Sequence, residues 1–113
     1  MRIITDTLSL SELKRMAEGM CGTMAKAVVD ARRTVIAVDA ELHADLEAAL
    51  LDDGSQQADL WGINLYPDES EDQFIEFDSM INVRPSHGNR SRFVESEVVR
   101  DRFAEIVKTR IVT

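Results

Sequence analysis

Ile75-Glu76-Phe77-Asp78-Ser79-Met80-Ile81-Asn82-Val83-Arg84 is the stretch on which the reading of this chain turns. Successive side chains of a strand point to opposite sides. Ile75, Phe77, Ile81 and Val83 then share one face, interrupted by Ser79, while Glu76, Asp78, Asn82 and Arg84 share the other around Met80. The alternation predicts one continuous strand, apolar toward a core and polar outward. A loop carrying glycine, asparagine and arginine follows at once, Pro85-Ser86-His87-Gly88-Asn89-Arg90-Ser91-Arg92.

Upstream, Leu60 to Tyr66 alternates Trp61, Ile63 and Leu65 against Gly62, Asn64 and Tyr66, and Pro67 closes the strand. The acidic connection that follows is too short for a parallel crossover, so these two strands pair antiparallel. Met24–Asp30 and Thr34–Val38, rich in Val, Ile and Ala, flank Ala31-Arg32-Arg33 and predict a second hairpin, without an Asn-Gly turn. Ser9-Leu10-Ser11-Glu12 fits a capping box ahead of a helix over 10–21, with Gly22 placed to stop it. Leu42, Leu46, Ala49 and Leu50 form the stripe of a second helix over 41–51, and Val99, Phe103, Ile106 and Val107 that of a third, capped by Ser96. Residues 2–5 add a short strand. The expectation is a single α+β domain over 1–113, a mainly antiparallel sheet with three helices in the order β-α-β-β-α-β-β-α. The helices are expected on one face, leaving a polar sheet face on which two copies would meet.

A chain of 113 residues is one domain by length. No apolar run is long enough to cross a membrane, and the start lacks a secretory pattern. The one cysteine, Cys21, cannot form an internal bridge and is expected to pack at the end of the first helix. A cytoplasmic location is the expectation. The net charge of −8 is uneven: residues 39–78 hold thirteen Asp and Glu and no Lys or Arg, whereas residues 84–110 carry seven basic residues against four acidic. An acidic chain with 5% aromatic residues is poorly suited to nucleic acid. The basic segment either holds a small anion or attracts the acidic middle across the fold.

Three constellations carry chemistry. His43 with Asp45 and Glu47 at the start of the second helix places an imidazole four residues from a carboxylate, the arrangement of a base and its orienting partner. The alternative is a helix cap with acids at the favourable end of the dipole. The ladder Glu76, Asp78, Asn82 and Arg84 suits a divalent cation or an acid–base pair, with Asp78, Asn82 and Arg84 the better candidates. The alternative is a solvated or oligomer-contact face in which Arg84 neutralises Asp78 or a cross-strand acid. The loop adds Asn89 and Arg90 for an anionic group. Two histidines 44 residues apart give no metal pattern, and nothing implies a cofactor.

The motifs His43-Ala44-Asp45, Asp53-Gly54-Ser55 and Leu60-Trp61-Gly62, with Ile81-Asn82-Val83-Arg84-Pro85 and Gly88-Asn89-Arg90-Ser91, resemble a family of small prokaryotic proteins catalogued only as a domain of unknown function. The resemblance spans nearly the whole chain and implies no activity. Glycines usually precede His-Ala-Asp in that family. Here Ala37-Val38-Asp39-Ala40 stand there, which predicts an earlier helix start.

The favoured reading is a non-enzymatic binding module that self-associates and takes a protein partner or small anion. The alternative is a hydrolase of a phosphorylated or carboxylated substrate, with His43 as base, Asp78 orienting it, and Asn82, Arg84, Asn89 and Arg90 binding the anion.

Overall fold

Val28 and Val29 point to opposite sides of one strand, and both are fully buried. A sheet with such a strand needs cover on both faces. The computed structural model describes residues 1–113. Its elements are β1 Arg2–Ile4, β2 Leu8–Ser9, α1 Leu10–Glu18, β3 Ala25–Asp30, β4 Val35–Val38, α2 His43–Asp52, β5 Leu60–Leu65, β6 Ile75–Glu76, α3 Glu97–Arg110 and β7 Ile111–Val112. Five strands pair antiparallel in the order β1-β4-β3-β5-β6. A short parallel pair, β2 with β7, brings the end of the chain beside the start of α1. That pair was not foreseen, because two-residue strands carry no periodicity.

The α+β class, the three helices and the antiparallel sheet are as expected, but the layering is not. α2 lies alone on one face, packing Leu46 and Leu50 on Val28, Val35, Ala37 and Leu60. α1 and α3 cover the other, where Leu13, Ala17, Phe103 and Ile106 join Val29, Ile36 and Ile63 in a cluster of 15 buried residues. The open polar face expected for two copies to share is therefore absent over the centre of the sheet. The unbroken runs Val28-Val29 and Val35-Ile36-Ala37-Val38 were the sign of burial on both faces.

The strand expected over Ile75–Arg84 is a second correction. β6 ends at Glu76. Beyond it the Asn82 side chain takes the place of a partner strand: Oδ1 accepts from Gly62 N at 2.8 Å, and Nδ2 donates to Gly62 O at 2.9 Å and to Arg92 O at 3.0 Å. Ser79 turns the chain by accepting from Ile81 N, opening a 3-10 turn over Met80–Asn82. A second such turn, Pro85–His87, ends on Gly88 at φ 83°. Gly62 has no room for a side chain, since a Cβ there would stand 2.4 Å from Ser79 Cβ and 3.2 Å from His43 Cδ2.

Local signals held where their partners are local. Ser9 Oγ accepts from Glu12 N and Ser96 Oγ from Val99 N. The Glu12 side chain, however, goes to Arg2 at 2.6 Å and does not reach back to the cap. In the β3–β4 turn Asp30 does the work of the missing Asn-Gly pair: Oδ1 accepts from Arg32 N and Arg33 N, and Oδ2 from Ser55 Oγ at 2.6 Å. α1 stops at Glu18, so Cys21 is exposed and not packed as expected. α2 starts at His43, not earlier, and Leu42 at its cap makes no side-chain bond. Ahead of it, where glycines are usual in the resembled family, Asp39 adopts φ 73°.

Asn82→Leu would leave two Gly62 groups and one Arg92 group without their partner. At about 1–3 kcal/mol for a buried group left unpaired, we expect a loss of about 3 kcal/mol or more in urea unfolding. Gly62→Ala is expected to cost about 1–3 kcal/mol by overpacking against Ser79 and His43.

Candidate functional site

On the α2 face, Lys26, Asn64 and Glu76 stand in register across β3, β5 and β6. α2 begins at His43 and runs toward Ser55, which meets Asp30 at the far end of β3, so this polar row lies beyond the start of the helix. Asn64 is 5% exposed. Its Nδ2 donates to Glu76 Oε1 at 2.8 Å and to Asp78 O at 3.2 Å, while its Oδ1 is buried without a partner. Tyr66, two residues further along β5, donates its phenol to Glu76 Oε1 at 3.1 Å. Burial, then this bond and the Glu76 charge, push the Tyr66 hydroxyl above its ordinary value of 10.0.

A cleft of about 640 Å³ opens beside this row. It is lined by Tyr66, Glu69, Asp72, Gln73, Ile75, Glu76, Phe77, Asp78 and Phe93. Phe77 and Phe93 meet edge to face with centroids 6.4 Å apart. Four lining residues are acidic and none is Lys or Arg. Arg92 neutralises one of them, gripping Asp78 through Nε at 2.8 Å and Nη2 at 3.1 Å.

His43 sits at the edge of this region. Its Nε2 is 2.8 Å from Ile63 O. Burial pushes the ring below its ordinary value of 6.5, and the Lys26 charge adds to this, while the Ile63 carbonyl, Asp78 and the Asn64 amide oppose it. His43 is the first residue of α2, not its cap. Glu47, one turn on, is drawn away from it to Arg84 Nη2 at 3.2 Å.

The basic loop is spent internally. Arg84 is held between Glu47 and the Trp61 ring, whose centroid lies 5.3 Å from its guanidinium carbon. Burial lowers its affinity for the proton, with Glu47 opposing, and Nη1 has no partner. Asn82 is consumed by Gly62 and Arg92. Asn89 Nδ2 donates to Asn82 O, Ser91 O and Phe93 O, and its Oδ1 accepts from Glu95 N. The backbone N–H groups of Arg90 and Ser91 and the Ser91 hydroxyl do bind an anion, the carboxylate of Glu95 at 2.8–2.9 Å. The Ser91 hydroxyl and those amides hold the Glu95 carboxyl below the usual carboxylate range. Further along, Arg100 donates to Val94 O, Arg102 to Ala31 O and Arg110 to Thr34 O and Thr5 O, while Lys108 pairs with Glu71. Of the seven basic side chains in 84–110, Arg90 alone has neither a hydrogen bond nor an ion pair.

The fold therefore brings His43 and Asp78 to the same polar region, ties Arg84 to the helix one turn below His43, and leaves Arg90 apart on the surface. Lys26, Asn64, Tyr66, Gln73 and Phe93 were not singled out from the sequence. The polar alternation of Gly62, Asn64 and Tyr66 was the one available signal. No set of three or more metal-ligating side chains is clustered anywhere, and no helix is long and apolar enough to cross a membrane.

These features define a small α+β domain whose sheet is covered on both faces and ends in an acidic, aromatic-walled cleft. The chain belongs to the family described as Protein of unknown function (DUF5674), whose sequence model matches residues 2–110. Neither a curated protein nor a solved structure matches it.

Glu47→Ala would strand the Arg84 guanidinium, whose side chain is 10% exposed, and is expected to cost about 3 kcal/mol in urea unfolding. His43 has its own signature. Its folded-state value lies below 6.5, so between the two values the unfolded chain binds more protons and stability rises with pH. The contribution is full above 6.5 and is lost as pH falls through the lowered value. The thermal midpoint of the wild type should fall more steeply below pH 6.5 than that of His43→Gln.

Proposed function

We propose that the protein is a non-enzymatic binding module whose recognition site is the cleft beside β6, and that the site takes a positively charged organic group. The observation that carries this reading is the lining itself: Glu69, Asp72, Glu76 and Asp78 around Tyr66, Phe77 and Phe93, with no basic residue among them. Carboxylates supply the charge and hydrogen-bond acceptors that an ammonium or guanidinium needs, and aromatic rings favour the same cations. Glu69 and Asp72 are in no ion pair, so their charge is available.

The hydrolase alternative draws less support. His43 Nε2 is bonded to a backbone carbonyl, Asp78 is gripped by Arg92, and Asn82 and Asn89 spend their amides on the loop. A small anion as ligand is disfavoured for the same reason, since Glu95 already fills the donors of the loop. Self-association no longer has an open sheet face to support it. Scattered exposed apolar side chains, Leu42, Met80 and Val98 among them, are its remaining support, and sedimentation at micromolar concentration decides it.

The test is thermal unfolding with agmatine, a guanidinium-bearing diamine, against inorganic phosphate as the opposite charge. Agmatine is expected to raise the midpoint saturably, the stabilisation reaching about 2.7 kcal/mol at a hundredfold excess over Kd. Glu76→Gln with Asp72→Asn should remove the shift, and Arg90→Ala should leave it. A shift with phosphate that depends on Arg90 would reverse the reading in favour of the anion.

A further inference from the structure

The Asn64 carboxamide has one end bonded to Glu76 in the wall of the cleft and the other in an unsatisfied environment. Nδ2 holds Glu76 Oε1, the same oxygen that accepts from Tyr66. Oδ1 is buried and accepts nothing. The His43 ring lies over the same face of β5: Cδ2 is 3.2 Å from where a residue 62 Cβ would stand, and Nε2 meets the Ile63 carbonyl at 2.8 Å. It thus rests against the residues that immediately precede Asn64 in the strand. Bonding to Ile63 O puts the proton of the neutral ring on Nε2, so the second nitrogen has no N–H to give. The imidazolium has one.

We propose that His43 is a proton-operated latch on the cleft: the neutral ring leaves Asn64 Oδ1 unbonded, whereas the imidazolium donates to Asn64 Oδ1 and sets a positive charge near Asp78 in the lining that opposes a bound cation. Proton and cation then compete, and by linkage each weakens the other by the same factor. This rests on the proposed function only for its consequence at the cleft; the proposed bond between His43 and Asn64 does not depend on it.

The charges around His43 come from every neighbouring element. Lys26 on β3 opposes protonation, and Asp78 after β6 favours it, as does the Asn64 carboxamide. Glu76 on β6 is bonded to Asn64 and Tyr66. On α2 itself, Glu47 is paired with Arg84 and Asp45 is exposed. Arg92 is paired with Asp78 and reduces its pull.

The experiment follows the imidazole resonances by NMR from pH 5 to 8 in a His87→Gln background, which leaves His43 as the one histidine. The His43 midpoint is expected below 6.5. In Asn64→Leu it should fall by a further ~0.5 unit or more, the scale of one neutral hydrogen bond. In Asn64→Asp, which keeps the shape and folds if the leucine variant does not, it should rise. A midpoint unchanged in either folded variant overturns the latch. In parallel, agmatine affinity should weaken severalfold from pH 8 to 5.5 in the wild type and stay flat in His43→Gln. The same pH dependence in both proteins would break the link between the ring and the cleft. Imidazole midpoints that move as expected, with no agmatine binding at any pH, would sink the cation reading of the cleft and leave the His43–Asn64 contact standing.

Discussion

The structure depends on a side chain that stands in for a strand. At Gly62 the outer edge of β5 has no neighbouring backbone, and the Asn82 carboxamide satisfies both Gly62 N and Gly62 O. A carboxamide presents a donor and an acceptor side by side, as a peptide group does, so it can close one rung of a ladder while its own chain leaves the sheet. The exchange works only because residue 62 is glycine, with Ser79 and His43 filling the space above it. Everything that surrounds the cleft follows. Once released from the sheet after Glu76, the chain places Phe77 and Asp78 against Phe93 and sends Arg84 across to Glu47.

A second asparagine organises what the first releases. Asn89 gathers the carbonyls of Asn82, Ser91 and Phe93 with one Nδ2 and takes Glu95 N with Oδ1. Glu95 in turn returns its carboxylate to Arg90 N, Ser91 N and the Ser91 hydroxyl. Buried polar groups cost free energy unless they are paired, and a segment this irregular is tolerated only because two amides and one carboxylate pair nearly all of it. The two atoms that remain without partners, Asn64 Oδ1 and Arg84 Nη1, both lie on groups that α2 approaches, one near His43 and the other bonded to Glu47.

Electrostatics across the fold follow the same logic. The basic C-terminal segment meets the acidic middle in three ion pairs, Arg84 with Glu47, Arg92 with Asp78 and Lys108 with Glu71. Arg100, Arg102 and Arg110 spend their guanidinium groups on backbone carbonyls of the Val94 loop, the β3–β4 turn and the start of the chain, and the Arg90 side chain alone is left without a partner. The residue types that promise anion binding in the sequence therefore serve internal acceptors. What is left unpaired around the cleft is negative, which is why we propose a cation and not an anion as its ligand.

The elements whose signals are local were legible in the chain alone. Ser9 and Ser96 cap helices through contacts three residues away, Asp30 closes its own turn, and the periodicities of α1, α2, α3 and β5 come from each segment's own residues. It also fixed the class, because short antiparallel connections and three amphipathic helices admit few arrangements. Only the tertiary structure decided the rest. Whether Ser79–Arg84 continues a strand depends on a bond between Asn82 and Gly62, twenty residues apart. Whether Arg84 and Asn89 face a ligand depends on Glu47 and on three carbonyls of a loop with no period. Alternation says which side chains share a side of a strand; it does not say which atoms across the fold have already satisfied them, because a hydrogen bond is set by distance in space and not by distance in sequence.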